Sequence, residues 1–191
     1  YYKSYKKKKN KFFKIGMACR VNKLKKYNMI LDALKTKRLS NRKIKFSLAG
    51  SGEELDSFKK RVSRYKLKNK VIIEGYLNQN RLKKWFNSID LYVQASKDEG
   101  MSISILQALA MKCLVIGSNV PGISSILGKK KYVGMLFKNN VEDLSKKIEY
   151  FFLLNKYKKD KFRTSQYSYI TEHHNHKIIF GKYYSLIKTK S

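Results

Sequence analysis

Proline occurs once in the 191 residues, and no low-complexity stretch marks a linker. Nothing repeats at the spacing of a solenoid. The chain is therefore read as one ordinary domain with its own core. Cysteine is almost as scarce. Cys19 and Cys113 lie far apart, each in apolar or small-residue surroundings. That pattern reads as two reduced, buried thiols and argues against a disulfide framework. His173, His174 and His176 cluster near the C-terminus without Cys or carboxylates at metal-ligand spacing, so they read as a surface tail and no metal site is expected. No run reaches the roughly 18 apolar residues of a membrane-spanning helix. The most apolar region, Ile103 to Gly117, is broken by Ser104, Gln107 and Lys112. No signal peptide is visible, and a cytoplasmic location is expected. The first residue is Tyr1 rather than Met, which leaves open whether the chain is a piece of a longer protein.

Acidic residues are few: 13 against 44 basic ones, for a net charge of +31. Such a balance suits polyanionic partners: nucleic acid, an anionic membrane at its inner face, or phosphate-bearing substrates. The lysines are spread among Asn, Ile and Tyr along the whole chain, so most of the charge reads as compositional drift and solvated surface. The exception is the run Lys7, Lys8, Lys9 with Lys11, a basic arm over residues 1–11. Nucleic-acid binding ranks last, because the tyrosines are dispersed and no recognition motif is present.

What is abundant is apolar sequence, 42% of the chain, in alternating short runs and helical stripes. Strands are expected at Phe12–Ala18, Ile44–Ala49, Val71–Ile73, Leu91–Val93, Leu114–Ile116 and Val133–Phe137. Between them, helices are expected at Tyr27–Leu34, Glu53–Tyr65, Gln79–Asn87, Ile103–Met111 and Gly122–Leu127, and another at Val141–Leu153. This alternation predicts an α/β fold, Rossmann-like, with a parallel sheet of about six strands between two helical layers over residues 12–155. Residues 156–191 depart from the rhythm. Two further helices, Tyr157–Tyr169 and Lys177–Ile187, are expected to pack on the outside.

Ligands of such sheets bind beyond the carboxyl ends of the strands. Arg20 and Lys25 follow the first strand, where two cations suit a diphosphate leaving group. Gly50-Ser51-Gly52 follows the second strand. It has neither a third glycine at dinucleotide spacing nor a Walker-type lysine, and by itself is a tight turn. Glu99-Gly100-Met101-Ser102 follows the fourth strand and opens the apolar helix at Ile103. Backbone amides there suit an anion, and Glu99 suits sugar hydroxyls. The plainer alternatives are Ser102 as an N-cap and Glu99 as a charge compensating the helix dipole.

In order, these segments resemble the C-terminal, donor-binding domain of glycosyltransferase family 4, over roughly Lys14 to Leu154. The family's Gly-Arg-x-x-x-x-Lys-Gly is similar to Cys19-Arg20 through Lys25-Lys26, and its Gly-x-Gly to Gly50-Ser51-Gly52. Its Gly-Tyr/Phe-Val is similar to Gly75-Tyr76-Leu77, and its Glu-Gly-Phe-Gly/Ser to Glu99-Gly100-Met101-Ser102. Its Glu-Ala-Met-Ala is similar to Gln107-Ala108-Leu109-Ala110, and its Val-Gly-Gly-Ile to Val120-Pro121-Gly122-Ile123.

The resemblance implies the C-terminal half of a GT-B fold and a retaining, metal-independent glycosyltransferase that needs no cofactor. A nucleotide-diphosphate sugar would be the donor and a glycan or lipid-linked molecule the acceptor. It implies catalytic roles for Arg20, Lys25 and Glu99. Donor contacts would come from Gly50, Gly75, Tyr76, Gly100, Met101, Ser102, Ile103 and Gln107. It also implies an N-terminal partner domain. The chain departs from the pattern at Cys19, Lys26, Lys112, Gln107 and Ser125, the last two standing where the family has glutamate. A neutral glutamine is a weaker acceptor for ribose hydroxyls. The alternative implied by these departures is a non-catalytic nucleotide-sugar-binding module.

Overall fold

The computed structural model describes residues 11–128 and 134–173. The basic arm up to Asn10, His174, His176 and the expected helix at 177–187 lie outside these residues.

The apolar runs form six parallel strands: β1 (Phe13–Ala18), β2 (Ile44–Ala49), β3 (Val71–Gly75), β4 (Leu91–Gln94), β5 (Leu114–Ser118) and β6 (Met135–Phe137). Their order in the sheet is β3-β2-β1-β4-β5-β6. The chain starts in the middle, winds out to one edge through β3, then returns past β1 to build the other half. The crossing from β3 to β4 creates the crevice beyond β1 and β4 where such sheets take ligands.

Helices α1 (Asn28–Lys35), α2 (Leu55–Arg64), α3 (Gln79–Ser88), α4 (Ile103–Ala110), α5 (Pro121–Leu127), α6 (Val141–Leu153) and α7 (Lys156–His173) fill the connections and the C-terminal end. Helices α1 to α6 each bury an apolar face against the sheet. Ile30 and Leu34 of α1, Phe58 of α2, and Leu144, Ile148 and Phe151 of α6 join Ile15, Met17, Phe46 and Leu48 in one core layer. Trp85 and Phe86 of α3, Ile105 and Leu109 of α4, and Ile123 and Ile126 of α5 join Tyr92 and Val115 in the other. The three-layer arrangement expected from the alternation is thus present. Helix α7 spans both layers: Phe162 belongs to the first, Tyr169 and Ile170 to the second.

Strand and helix limits agree with the sequence reading to within a few residues. One element was not expected: a single 3-10 turn at Lys23–Lys25, ending at Lys26 in the left-handed region at φ 42°. It has no apolar stripe to announce it. Cys113 is buried, but Cys19 is only partly so. The expectation of two buried thiols is corrected in part for Cys19, which is partly exposed where β1 ends but packs against the first core layer.

Candidate functional site

Beyond the carboxyl ends of the strands, the loops are bound to one another by their backbones. The amide of Cys19 donates to the carbonyl of Ala49 at 3.0 Å, and Val21 donates to Ser51 at 2.9 Å. Gly50 donates to Gly75 at 2.7 Å. These close approaches explain the Gly-Ser-Gly spacing. A Cβ at Gly50, where φ is +134°, would lie 1.9 Å from the Cys19 carbonyl oxygen, and one at Gly52 would lie 2.4 Å from that of Val21. Only glycine lets the second loop lie against the first.

The same device operates between β4 and β5. A Cβ at Gly122 would fall 2.0 Å from the Glu99 carbonyl oxygen. The start of α5 therefore supports the Glu99-Gly100 backbone from behind. Ser118 adds to the support, its hydroxyl donating to the Ser96 carbonyl at 2.7 Å. The Lys97 amide donates to the Leu24 carbonyl at 2.7 Å and ties the loop after β4 to the loop after β1.

That tie brings two of the expected residues together. Lys25 Nζ lies 2.7 Å from Glu99 Oε2, with side-chain exposures of only 19% and 13%. Arg20 is not part of this pair. It is exposed and pairs with Glu53 at 3.5 Å, over the start of the chain leading into α2. Tyr76 stands 75% exposed beyond Gly75, where φ is +68°. Since β3 is separated from β1 by β2, these two residues lie along the edge from the Lys25–Glu99 pair.

At the start of α4, Met101 and Ile103 are exposed while Ser102 is buried. Gln107, one helical turn after Ile103, is half-buried. Ser102 occupies the N-cap position, but its hydroxyl makes no cap bond and instead meets the Ser104 hydroxyl at 3.2 Å. The first turn of α4 thus keeps amide groups without a side-chain cap, an arrangement that favours an anion. The alternative reading of Ser102 as a side-chain cap does not hold. Glu99 likewise does more than compensate a dipole, since it is ion-paired. The Ser125 hydroxyl donates to the Gly122 carbonyl at 3.2 Å and so serves its own helix.

The sequence reading missed what lies under Glu99. Tyr92, Gln94 and Ser96 are buried polar residues at the end of β4. Ser96 Oγ donates to Glu99 Oε2 at 3.0 Å, and Gln94 Nε2 donates to the same oxygen at 3.2 Å. Gln94 Oε1 accepts from Tyr92 at 2.7 Å and from Ser104 at 3.2 Å. A polar residue closing an apolar strand reads as a stop signal, and only the fold shows that it stays inside. The one available signal was three polar side chains in Leu91–Ser96 just before a candidate acid.

Burial dominates the electrostatics. It pushes the Cys19 thiol up to about 12; Lys25 pulls it down and Glu99 pushes it up, which places the thiol within the field of both. Burial also raises the Tyr92 hydroxyl, which remains a hydrogen-bond donor across ordinary pH. Among the described residues, no group of three or more His, Cys, Asp or Glu side chains is placed to hold a metal ion. No helix among them is long and apolar enough to cross a membrane.

A family model described as "Glycosyl transferases group 1" matches residues 2–169. Protein CapJ of Staphylococcus aureus is 29% identical over 119 residues, which cover 61% of this chain and 29% of CapJ. The chain thus matches less than a third of that relative's length. Among solved structures, Anabaena HepE in complex with UDP-glucose superposes with a TM-score of 0.82 at 16% identity, over 94% of this chain and 49% of HepE. The C-terminal domain of a glycosyl transferase group 1 family protein, LpcC of Francisella tularensis, gives 0.74 at 21% identity, over 86% of this chain and 87% of that one.

Proposed function

The chain belongs to the glycosyl transferases group 1 family, and from that premise we propose that it is the donor-binding half of a retaining glycosyltransferase. The donor is a nucleotide-diphosphate sugar, the transferred group is of hexosyl type, and the acceptor is a glycan or lipid-linked molecule. One observation carries the reading. Lys25 and Glu99, from loops that follow different strands, meet at 2.7 Å beside a helix start whose amides have no side-chain cap. A cation and a helix N-terminus suit a diphosphate; a carboxylate suits sugar hydroxyls.

In this reading Lys25 and the first turn of α4 hold the diphosphate and stabilise the charge it gains on leaving. Arg20 moves from Glu53 to the same phosphates. Glu99 accepts hydrogen bonds from the sugar, and Gln107 meets the ribose. Gly75 and Tyr76 lie toward the base, and Met101 and Ile103 flank the cleft. With two cations at the leaving group, transfer proceeds without a metal. The family resemblance and the HepE complex support the nucleotide-sugar assignment.

The acceptor side belongs to an N-terminal domain, and the match to an isolated C-terminal domain supports that division. We place the protein in the cytoplasm, with its basic surface against the inner face of an anionic membrane. Calorimetric titration with UDP, GDP, ADP and their sugars, in moderate salt and without metal, tests the reading. Saturable binding of one nucleotide, lost in an Arg20→Ala/Lys25→Ala variant, is expected. Binding of none contradicts it and favours the non-catalytic module, to which Gln107 in place of a carboxylate also points.

A further inference from the structure

Glu99 is held from one side only. Among the described residues, three donors converge on its Oε2: Lys25 Nζ at 2.7 Å, Ser96 Oγ at 3.0 Å and Gln94 Nε2 at 3.2 Å. No bond from them reaches Oε1, which is also not a buried atom lacking a partner. One carboxylate oxygen is anchored and the other is left to an incoming ligand.

Gln94 is the hub of this anchorage. It is buried, and both ends of its amide are used. The carbonyl accepts from Tyr92 and Ser104, and the amide nitrogen donates to Ser96 and Glu99. Two hydroxyl donors on one side and a carboxylate on the other fix which way the amide points. The Ser104 hydroxyl in turn meets that of Ser102 at the start of α4. The network therefore couples the first turn of the helix to the carboxylate beside it. Buried networks with every member satisfied hold their side chains in one arrangement.

We propose that Gln94 is a positioning residue: by anchoring Oε2 of Glu99 it presents Oε1 to a hydroxyl of the donor sugar. It thereby sets the part of donor affinity that depends on the sugar. The inference rests on the nucleotide-sugar reading above. It goes beyond it by separating the sugar contact from the diphosphate contact and assigning the former to a residue that touches no ligand.

The test is a pair of affinities, for a nucleoside diphosphate and for its glucose conjugate, measured on the whole chain with whichever of UDP, GDP or ADP binds tightest. In Gln94→Met the ratio of conjugate to free nucleotide affinity is expected to fall about tenfold, the effect of one hydrogen bond to a charged group. The affinity for the free nucleotide stays within about threefold, since Lys25 and α4 remain. A second variant guards against misfolding. Gln94→Glu puts a second carboxyl group against Glu99 Oε2. At neutral pH the two repel, and as pH falls the introduced group is protonated and again donates, so the ratio recovers. A merely structural role predicts no such recovery. An unchanged ratio in Gln94→Met, or an equal loss of both affinities, overturns the proposal. Absence of nucleotide binding by the unaltered chain overturns the donor-site reading itself, and this inference with it.

Discussion

Lys25 and Glu99 are separated by three strands, β2 to β4, in sequence and by one hydrogen bond in space. Truncating Lys25 to Ala is expected to lower nucleoside-diphosphate affinity by about ten- to a hundredfold, the range of a charge-assisted bond. Calorimetry measures it, and a change below about threefold would place the phosphates elsewhere. Cys19 supplies a pH signature. Burial pushes its folded thiol up to about 12 from an ordinary 9.0, so the folded state keeps a proton that the unfolded chain releases. Its stability contribution is complete below about 9 and is lost as pH rises toward about 12. Urea melts at pH 8 and 10.5 should show a smaller loss in Cys19→Ala than in the unaltered chain. Arg20, Lys25 and Glu99 could be named as candidates because they follow strand ends in the order of the family's motifs; the structure joins Lys25 to Glu99 and leaves Arg20 on Glu53. Gln94 and Ser96 were not, because a polar residue at a strand's end carries no mark of which way it faces.

The elements were legible in order and type because each keeps one period: strands as short apolar runs, helices as stripes such as Leu144, Ile148 and Phe151. The 3-10 turn at Lys23–Lys25 has no buried residue and hence no period to read. The Gly-Ser-Gly spacing was visible, but its cause was not, since the atoms that exclude a side chain at Gly50 belong to the loop after another strand. Gly50→Ala should cost about 3 kcal/mol through left-handed strain and displacement of Cys19, lowering Tm by roughly 6–12 °C. Asn78 offers a stability control that does not involve the Lys25–Glu99 pair. Its side chain caps α3 by accepting from the Arg81 amide at 3.0 Å. Asn78→Ala is expected to cost about 1 kcal/mol in a thermal melt and to leave nucleotide affinity unchanged.

At the scale of the molecule, the sheet order puts β1 beside β4 and so turns two loops into one edge. The chain supplies that edge, and its CapJ match spans 29% of the relative. Under the proposed function, sugar transfer is expected only when an N-terminal domain is joined to this chain, whereas donor binding is expected without it. The most direct test of where the donor lies is amide chemical-shift mapping of the labelled chain during titration with the nucleotide that binds. Shifts are expected to concentrate in residues 20–25, 75–76 and 96–107, and to need an about ten- to hundredfold higher nucleotide concentration in Lys25→Ala. Shifts centred on the opposite edge, around the starts of β1 and β2, would contradict this placement.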